Sequence, residues 1–373
     1  MASGFSLKDD LFNPSTIGDL AAQFRATGAI DADRFEAAVL ARLPELELKA
    51  RIAWIAECLL QELPGNLPEA APILRAALPP PLDPTRTDDD FGRFIHAPLG
   101  EVVTALGLEE HPDLSLDLME EITQRFSMEM SIRAFLIRYP DLVLERMEDW
   151  AQHPNYHVRR LVSEGTRPKL PWAPAIGLDP DRALPLLDRL HADPTRYVTR
   201  SVANHLNDIT KIRPELALDR LNAWGQAGRQ APRELQWMTG HALRGLVKAG
   251  DPRAMALLGF DPDAPIKLLQ FDIPAQARIG DVMELAVTLH CDVSAGAIVD
   301  YVFWRRRANG ELAPKVHKLK TLQLAAGTPQ TIVKRHGLKG DATTYRLYPG
   351  AQKIALQVNG RVLGEAGFEL LDN

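Results

Sequence analysis

The feature that most constrains this chain is a change of hydrophobic period near Lys267. Upstream, apolar residues recur every three or four positions, as in "FEAAVLARL" and "LKARIAWIAECLLQEL"; downstream, Leu285, Val287, Leu289, Cys291 and Val293 alternate with polar or small residues, as do Val299, Tyr301 and Phe303, then Ile354, Leu356 and Val358. Helical spacing cannot keep one face of a strand apolar, nor alternation one face of a helix, so two different kinds of domain are expected. At 373 residues the chain is also longer than one core usually supports.

The helical part contains a weak internal repeat. "HPNYHVRRLVSEG" from His153 aligns with "DPTRYVTRSVANH" from Asp193 at an offset of 40 residues, superposing Pro154 on Pro194, Val158 on Val198, Arg160 on Arg200 and Val162 on Val202. That offset lies in the range of HEAT and armadillo helical pairs, each of which needs neighbours to cover its apolar face. "DLVLERMEDW" and "RALPLLDRL" are the matching first helices, and "PELALDRLNAW" opens a third unit. The Pro-rich, acidic stretch "LPPPLDPTRTDDDFG", residues 78–92, reads as a surface connection between helices. In the strand part, "VNGRV" carries the Asn-Gly of a tight hairpin. The expected fold class is mainly α: a HEAT-like antiparallel helical-repeat solenoid over residues 1–260, followed by a small all-β immunoglobulin-like sandwich over 261–373.

The net charge of −6 conceals an asymmetry. From Lys267 onward 14 Lys and Arg face 10 Asp and Glu, about +4, which leaves about −10 for the helical part. Within that acidic part, Arg159, Arg160, Arg167 and Lys169 surround Glu164 alone, and local fields rather than totals attract phosphates. The N-terminal "MASGFSLKDDLFNPSTIGDL" lacks a basic stretch leading into an apolar run, and no later stretch is long enough to span a bilayer, so a cytoplasmic protein with no membrane partner is expected. Two distant cysteines, Cys58 and Cys291, read as small buried hydrophobes.

Glu164 is oddly placed. The spacing of Val158, Leu161 and Val162 puts it in the last turn of a helix that stops at Gly165. The carbonyl end of a helix disfavours an anion by about 0.3–1 kcal/mol. Pairing with Arg160 is one explanation; another is that a cation must be held there. Glu129, in "TQRFSMEMSIRAFL", lies one helical turn before Arg133, and an i,i+4 ion pair worth about 0.2–0.5 kcal/mol is the account its residues favour. Asn204 takes the place of Glu164 in the repeat alignment, with Asn207 and Asp208 following as a helix-end cap, and Trp172 fills a gap between repeats. His153, His157 and Glu164 could share a face as metal ligands do, but His153 precedes Pro154 and no third ligand can be assigned, so no metal and no cofactor are expected.

Three of these blocks, "TQRFSMEMSIRAFL", "HPNYHVRRLVSEGTRPKLPW" and "YVTRSVANHLNDITK", resemble the AlkC family of bacterial DNA glycosylases, relatives of the AlkD type with HEAT-like repeats. "LELKARIAWIAECLLQELP" and "YPGAQKIALQVNGRVLGEAGFEL" extend the resemblance over nearly the whole chain, the latter to an immunoglobulin-like domain that some members lack. The resemblance implies a monomeric, monofunctional enzyme that excises cationic alkylated bases, chiefly 3-methyladenine and 3-methylcytosine, from double-stranded DNA. It implies a lesion approached while still stacked in a bent duplex. By position, the catalytic acids would be Glu129 and Glu164. Arg159, Arg160, Arg167, Lys169, Arg200 and Lys211 are the expected phosphate contacts, with Trp172, Asn204 and Asp208 completing the DNA-binding set. Lys315, Lys318, Lys320, Lys334, Arg335 and Lys339 are further candidates in the strand domain. A non-enzymatic HEAT scaffold and a non-catalytic damage-binding protein are the alternatives.

Overall fold

The computed structural model describes residues 6–88, 90–342 and 345–372. Its helices are α1 (Leu7–Leu11), α2 (Pro14–Arg25), α3 (Ala32–Arg42), α4 (Leu48–Glu62), α5 (Leu67–Ala77), α6 (Ala97–Gly107), α7 (Pro112–Thr123) and α8 (Ile132–Arg138). They continue as α9 (Pro140–Trp150), α10 (Tyr156–Gly165), α11 (Pro180–Leu190), α12 (Arg196–Ile209), α13 (Pro214–Ala227), α14 (Pro232–Ala242), α15 (Arg244–Ala249) and α16 (Pro252–Leu257). The strands are β1 (Ile266–Asp272), β2 (Gln276–Arg278), β3 (Val282–Cys291), β4 (Ala295–Arg306), β5 (Leu312–Leu324), β6 (Gln330–Gly337), β7 (Gly350–Val358) and β8 (Arg361–Leu371). No described helix is long and apolar enough to cross a membrane.

The repeat has a structural counterpart. α9 and α11 both open on a proline, at 140 and 180, while α10 and α12 begin at 156 and 196, so both helices of the pair recur at the same 40-residue offset. Each pair is closed by a turn of five residues, 151–155 and 191–195, too short for anything but an antiparallel return. The turns are built alike. His153 Nδ1 accepts from Asn155 N (3.0 Å), and Asp193 Oδ1, at the equivalent position, accepts from Thr195 N (2.8 Å), so in each turn a side chain two residues back holds the residue that precedes the helix. The third unit departs from the period, since α13 starts only 34 residues after α11.

α10 is the most enclosed of these helices. One face, Val158, Leu161 and Val162, is fully buried, at about 1.5–3 kcal/mol for each such side chain. The opposite face, with Ser163 and Glu164, is covered by α12 through Ser201 and His205. Polar residues therefore enter the interior between two successive repeats, and each has to find a partner there.

The strands form two sheets, β1-β3-β6 and β2-β8-β7-β4-β5, antiparallel except for β2 against β8. Leu285, Val287, Leu289 and Cys291 of β3 alternate inward toward Val299, Tyr301, Phe303, Ile354, Leu356 and Val358 in one core. Val293, expected to continue this alternation, lies beyond the end of β3 and is 53% exposed. Asn359 (φ 45°) and Gly360 (φ 85°) make the expected hairpin turn, the left-handed conformation that favours Asn-Gly.

Contacts divide the chain into two compact units, Met1–Ile212 with Trp224–Met238, and Arg213–Ala223 with Thr239–Asn373. The division departs from the expected boundary between residues 260 and 261. Helix does give way to strand between Leu257 and Ile266, yet the segment from Thr239 groups with the strands. The reason is a set of backbone attachments inside that second unit. Gln357 Nε2 donates to Lys248 O (3.5 Å) and Asn359 Nδ2 to Asp261 O (2.9 Å), while Gly250 and Gly360 approach so closely that a Cβ on either would meet the other's carbonyl oxygen at 2.7 or 2.6 Å.

Candidate active site

The sequence from Phe126 to Ser131 is not helical. α7 ends at Thr123 and an irregular turn, carrying Phe126, Ser127, Glu129 and Met130, leads into α8. This turn faces the last turns of α10, the segment running from Thr166 to Trp172, and Tyr197 of α12 across a cavity of about 320 Å³. Phe91, Phe94, Phe126, Trp172 and Tyr197 make its aromatic walls.

Five charged side chains form a ladder, four of them lining this cavity and the fifth, Asp208, buried behind it. Arg160 donates to Glu129 and to Ser127 Oγ (3.2 Å), lies 3.5 Å from Glu164 Oε2, and stands 4.8 Å over the Tyr197 ring. Arg167 donates to Glu164 Oε1 (2.5 Å) and, through Nε (2.9 Å) and Nη2 (2.8 Å), to Asp208 Oδ2. Ser201 Oγ donates to Glu164 Oε2 at 2.6 Å, and Lys211 Nζ reaches Asp208 Oδ1 at 3.1 Å. Carboxylates and guanidiniums thus alternate: Glu129, Arg160, Glu164, Arg167, Asp208.

Alternation fixes the charge states. Burial alone would raise the Glu164 pKa, but Arg160, Arg167 and the Ser201 hydroxyl more than offset it and hold the carboxyl below its ordinary value. Burial likewise works against the charge on Arg160, and Glu129 and Glu164 overcome it, so the guanidinium stays protonated. Burial pushes the Tyr197 hydroxyl up to about 12 and holds the His157 and His205 imidazoles down at about 4, so all three are neutral near pH 7. The two acids differ in access, the side chain of Glu129 being 25% exposed and that of Glu164 6%. Glu129 can meet a ligand or a water; Glu164 anchors the ladder.

Arg133 resolves the awkward helix end. It does not pair with Glu129. Fully buried, it donates through Nη1 to Gly165 O (3.0 Å) and Arg167 O (2.9 Å) and through Nε to Pro174 O (2.8 Å). A cation therefore sits on the carbonyl end of α10, where the helix dipole favours one, and it makes the adjacent Glu164 tolerable. Gly165 serves close packing and not a left-handed stop, because a Cβ there would lie 2.8 Å from Ile132 Cγ2. Beyond it, Trp172 has φ 67°, a strained conformation for a bulky residue, and its ring is 55% exposed at the cavity mouth while its carbonyl accepts from Lys49.

Most of the arginines expected to contact phosphates have partners within the chain. Arg159 spends Nε and Nη2 on Asp193 (2.6 and 3.2 Å) and Nη1 on the carbonyls of His153 and Pro154 (2.8 and 2.9 Å), so it closes its own repeat turn. Arg160 and Arg167 belong to the buried ladder, and Arg200 pairs with Asp88. Buried carboxylates, Asp193, Glu164 and Asp208, hold Arg159, Arg160 and Arg167 inward, while the Arg200–Asp88 pair stays partly exposed. Lys169 and Lys211 remain exposed, Lys211 beside Asp208, and Asn204 is half-buried.

Other site residues were not anticipated. Phe91 comes from the stretch expected to be a plain surface connection. Leu82 N donates to Gln124 O (2.9 Å), Tyr197 N donates to Thr87 O (3.0 Å), and the Phe91 ring meets Tyr197 edge-on at 5.6 Å. Gly92 (φ 71°) makes this path possible, since a Cβ would fall 1.9 Å from Arg125 O. The signal available was an aromatic-glycine pair, "DFG", inside an otherwise polar segment. Ser127, Tyr197 and Ser201 carry no distinguishing local signal.

Residues 267–372 match the family described as "Uncharacterised protein YhaZ, C-terminal Ig-like domain". The protein YhaZ of Bacillus subtilis (strain 168) is 31% identical over 331 residues, 88% of each chain. The structure of Pseudomonas fluorescens alkylpurine DNA glycosylase AlkC, bound to DNA containing an abasic site analog, superposes with a TM-score of 0.86 at 33% identity, covering 98% of this chain and all of that one. The chain belongs to the family of AlkC and YhaZ. Its fold is accordingly the AlkC fold, a helical-repeat body followed by an immunoglobulin-like domain. The charge ladder lies in the helical body, outside the segment that the immunoglobulin-like family match covers.

Proposed function

We propose that this AlkC-family protein is a monofunctional DNA glycosylase that hydrolyses the N-glycosidic bond of cationic N-alkylated bases, 3-methyladenine and 3-methylcytosine, in duplex DNA. It acts as a cytoplasmic, nucleoid-associated monomer in base excision repair. The observation that carries the proposal is the pair Glu129 and Glu164, joined through Arg160 at the floor of an aromatic cavity. The whole-chain likeness to an alkylpurine DNA glycosylase supports it.

An N3-methylated base already carries positive charge, so its bond to C1′ is weak and no general acid is required. As that bond breaks, the electron pair leaves with the base, which becomes neutral, and positive charge develops on the sugar. Water adds to C1′ and loses a proton to a carboxylate or to solvent. The more exposed Glu129 is the acid that stabilises the sugar cation and orients this water, with Glu164 keeping Arg160 and Arg167 in place. A carboxylate about 4 Å from the developing charge, at an effective dielectric near 20, contributes roughly 4 kcal/mol, about three decades of rate. Trp172, exposed and conformationally strained at the mouth, packs against the deoxyribose of a lesion that stays stacked in bent DNA. Lys169 and Lys211 contact phosphates.

Single-turnover release of 3-methyladenine from methylated duplex, by the wild type and Glu129→Gln, tests this reading. The expected result is a fall of on the order of two decades or more at unchanged DNA affinity. Binding of methylated duplex without release by the wild type would leave a damage-binding protein, and neither binding nor release would leave a scaffold.

A further inference from the structure

Within the strand-bearing unit, a second cavity of about 350 Å³ is lined by Arg305, Arg306, Arg307, Arg346, Tyr345 and Tyr348, with Ala308, Ala313 and Pro314. None of the four guanidiniums has a carboxylate within ion-pair distance among the described residues. Glu311, the acid in the same hairpin, accepts a hydrogen bond from Asn309 (2.9 Å) instead. The cations are held by aromatic faces and glycines. Arg305 stands 4.5 Å and Lys315 5.7 Å over the Tyr345 ring, and Arg346 stands 5.7 Å over Tyr348. Arg306 lies across Gly350 (φ 121°), where a Cβ would meet its Nη1 at 2.8 Å. Arg305 Nε is buried without a hydrogen-bond partner. Elsewhere in this protein guanidiniums brought together are neutralised by acids, as Arg160 and Arg167 are; here they are left unneutralised, which points to an anion from outside the chain.

We propose that this cavity binds a compact polyanion, the phosphate chain of a nucleoside di- or triphosphate. Size and charge choose that chemistry over duplex DNA. The cavity is concave and at the small end of ligand sites, whereas a duplex presents a wide convex rod with a single charge on each phosphate. Four guanidiniums around so small a space match several negative charges on adjacent phosphates, each able to take forked hydrogen bonds. This site is independent of the glycosylase reading.

The experiment is calorimetric titration of the full chain, in magnesium-free buffer at low salt, with ATP, tripolyphosphate and adenosine. ATP and tripolyphosphate should bind and adenosine should not, and the doubly substituted Arg306→Gln, Arg346→Gln protein should bind both on the order of tenfold or more weakly with an unchanged far-UV spectrum. Gly350→Val, which displaces Arg306 without removing charge, should weaken both as well. Failure of both phosphates to bind at millimolar concentration overturns the proposal, as does binding unaffected by these substitutions. Loss of affinity for short duplex DNA in the double variant, with no binding of either phosphate by the wild type, assigns the arginines to DNA and also overturns it.

Discussion

Arg160→Met separates the charge ladder from ordinary packing, because methionine keeps the apolar stem and removes only the cation. In the wild type Arg160 bridges Glu129 and Glu164. Without it, Glu164 keeps Arg167 and Ser201, but Glu129 loses its guanidinium partner and two carboxylates face each other across a largely buried gap. Breaking a buried ion pair by removing one member costs about 3–5 kcal/mol, most of it the uncompensated charge. The pH dependence identifies that cause. The wild-type Glu164 pKa is depressed, so its contribution to stability is present above the unfolded value of 4.5 and is lost only as pH falls through the lower folded value. Between pH 5 and 7.5 it is constant. In the variant Glu164 stays buried but loses Arg160, the largest of the cationic influences that hold its carboxyl down, so its folded pKa moves up, and the stability that rests on its charge is retained below the raised value and lost as pH rises through it. Urea denaturation at pH 5 and pH 7.5 should therefore show a destabilisation of about 3–5 kcal/mol at the higher pH that shrinks toward pH 5. An equal loss at both pH values would refute the argument and leave Arg160 as a packing residue.

Three further outcomes follow from the site. Arg133→Met should lower stability by about 3 kcal/mol, because the buried carbonyl of Gly165 and the part-buried carbonyls of Arg167 and Pro174 lose their donor, and it should shift Trp fluorescence by releasing the segment that bears Trp172, with thermal denaturation and emission spectra as the readouts. Trp172→Gly should leave stability unchanged or raise it by about 1 kcal/mol, since glycine relieves the φ 67° strain, while DNA affinity or base release falls; a fall in stability would mean that the exposed ring is structural. Lys169→Ala and Lys211→Ala should each reduce the slope of log affinity against log salt for duplex DNA by about one, whereas Arg159→Gln should act on stability and not on that slope.

How much of this was legible beforehand depends on what kind of signal each feature leaves. The two-domain fold is written in periodicity, a property of many residues at once, and the 40-residue offset of Pro154 and Pro194 marks the start of two helices that superpose in sequence register. Glu164 stood out as a carboxylate at the wrong end of a helix, whereas Glu129, whose residues alone favoured a plain ion pair, was marked only by the family resemblance. Their partners did not stand out. Arg133 was assigned to Glu129 by an i,i+4 rule that presupposes a helix through residue 129, and the chain is a turn there. Arg159, Arg160 and Arg167 read as an exposed basic patch because a single sequence does not reveal that α12 closes over them with Asp208 while the 191–195 turn supplies Asp193. Phe91 was hidden for a related reason. A Pro-rich acidic stretch looks like surface, and only backbone bonds to Gln124 and Tyr197 make it a wall of the cavity.

The repeat also explains how one helix pair becomes reactive while its neighbour stays supportive. Arg160 and Arg200 are equivalent positions, each paired with an acid from outside its own helix, Glu129 and Asp88 respectively. Four residues on, equivalence breaks: the first repeat has Glu164 and the second Asn204. A second carboxylate at 204 would place another acid one helical turn before Asp208, on the same face of α12, where Lys211 and Arg167 are already engaged with Asp208 itself. Asn204→Glu should therefore destabilise the protein without adding activity, whereas Glu164→Asn should keep the fold through the remaining Arg167–Asp208 and Arg160–Glu129 pairs but leave both guanidiniums less firmly placed, and so lower base release. Measured together by thermal denaturation and single-turnover kinetics, the two substitutions test whether asymmetry between adjacent repeats is what sites the reaction. If the two lower stability equally and neither alters release, the carboxylate at 164 is structural and the asymmetry has no catalytic meaning.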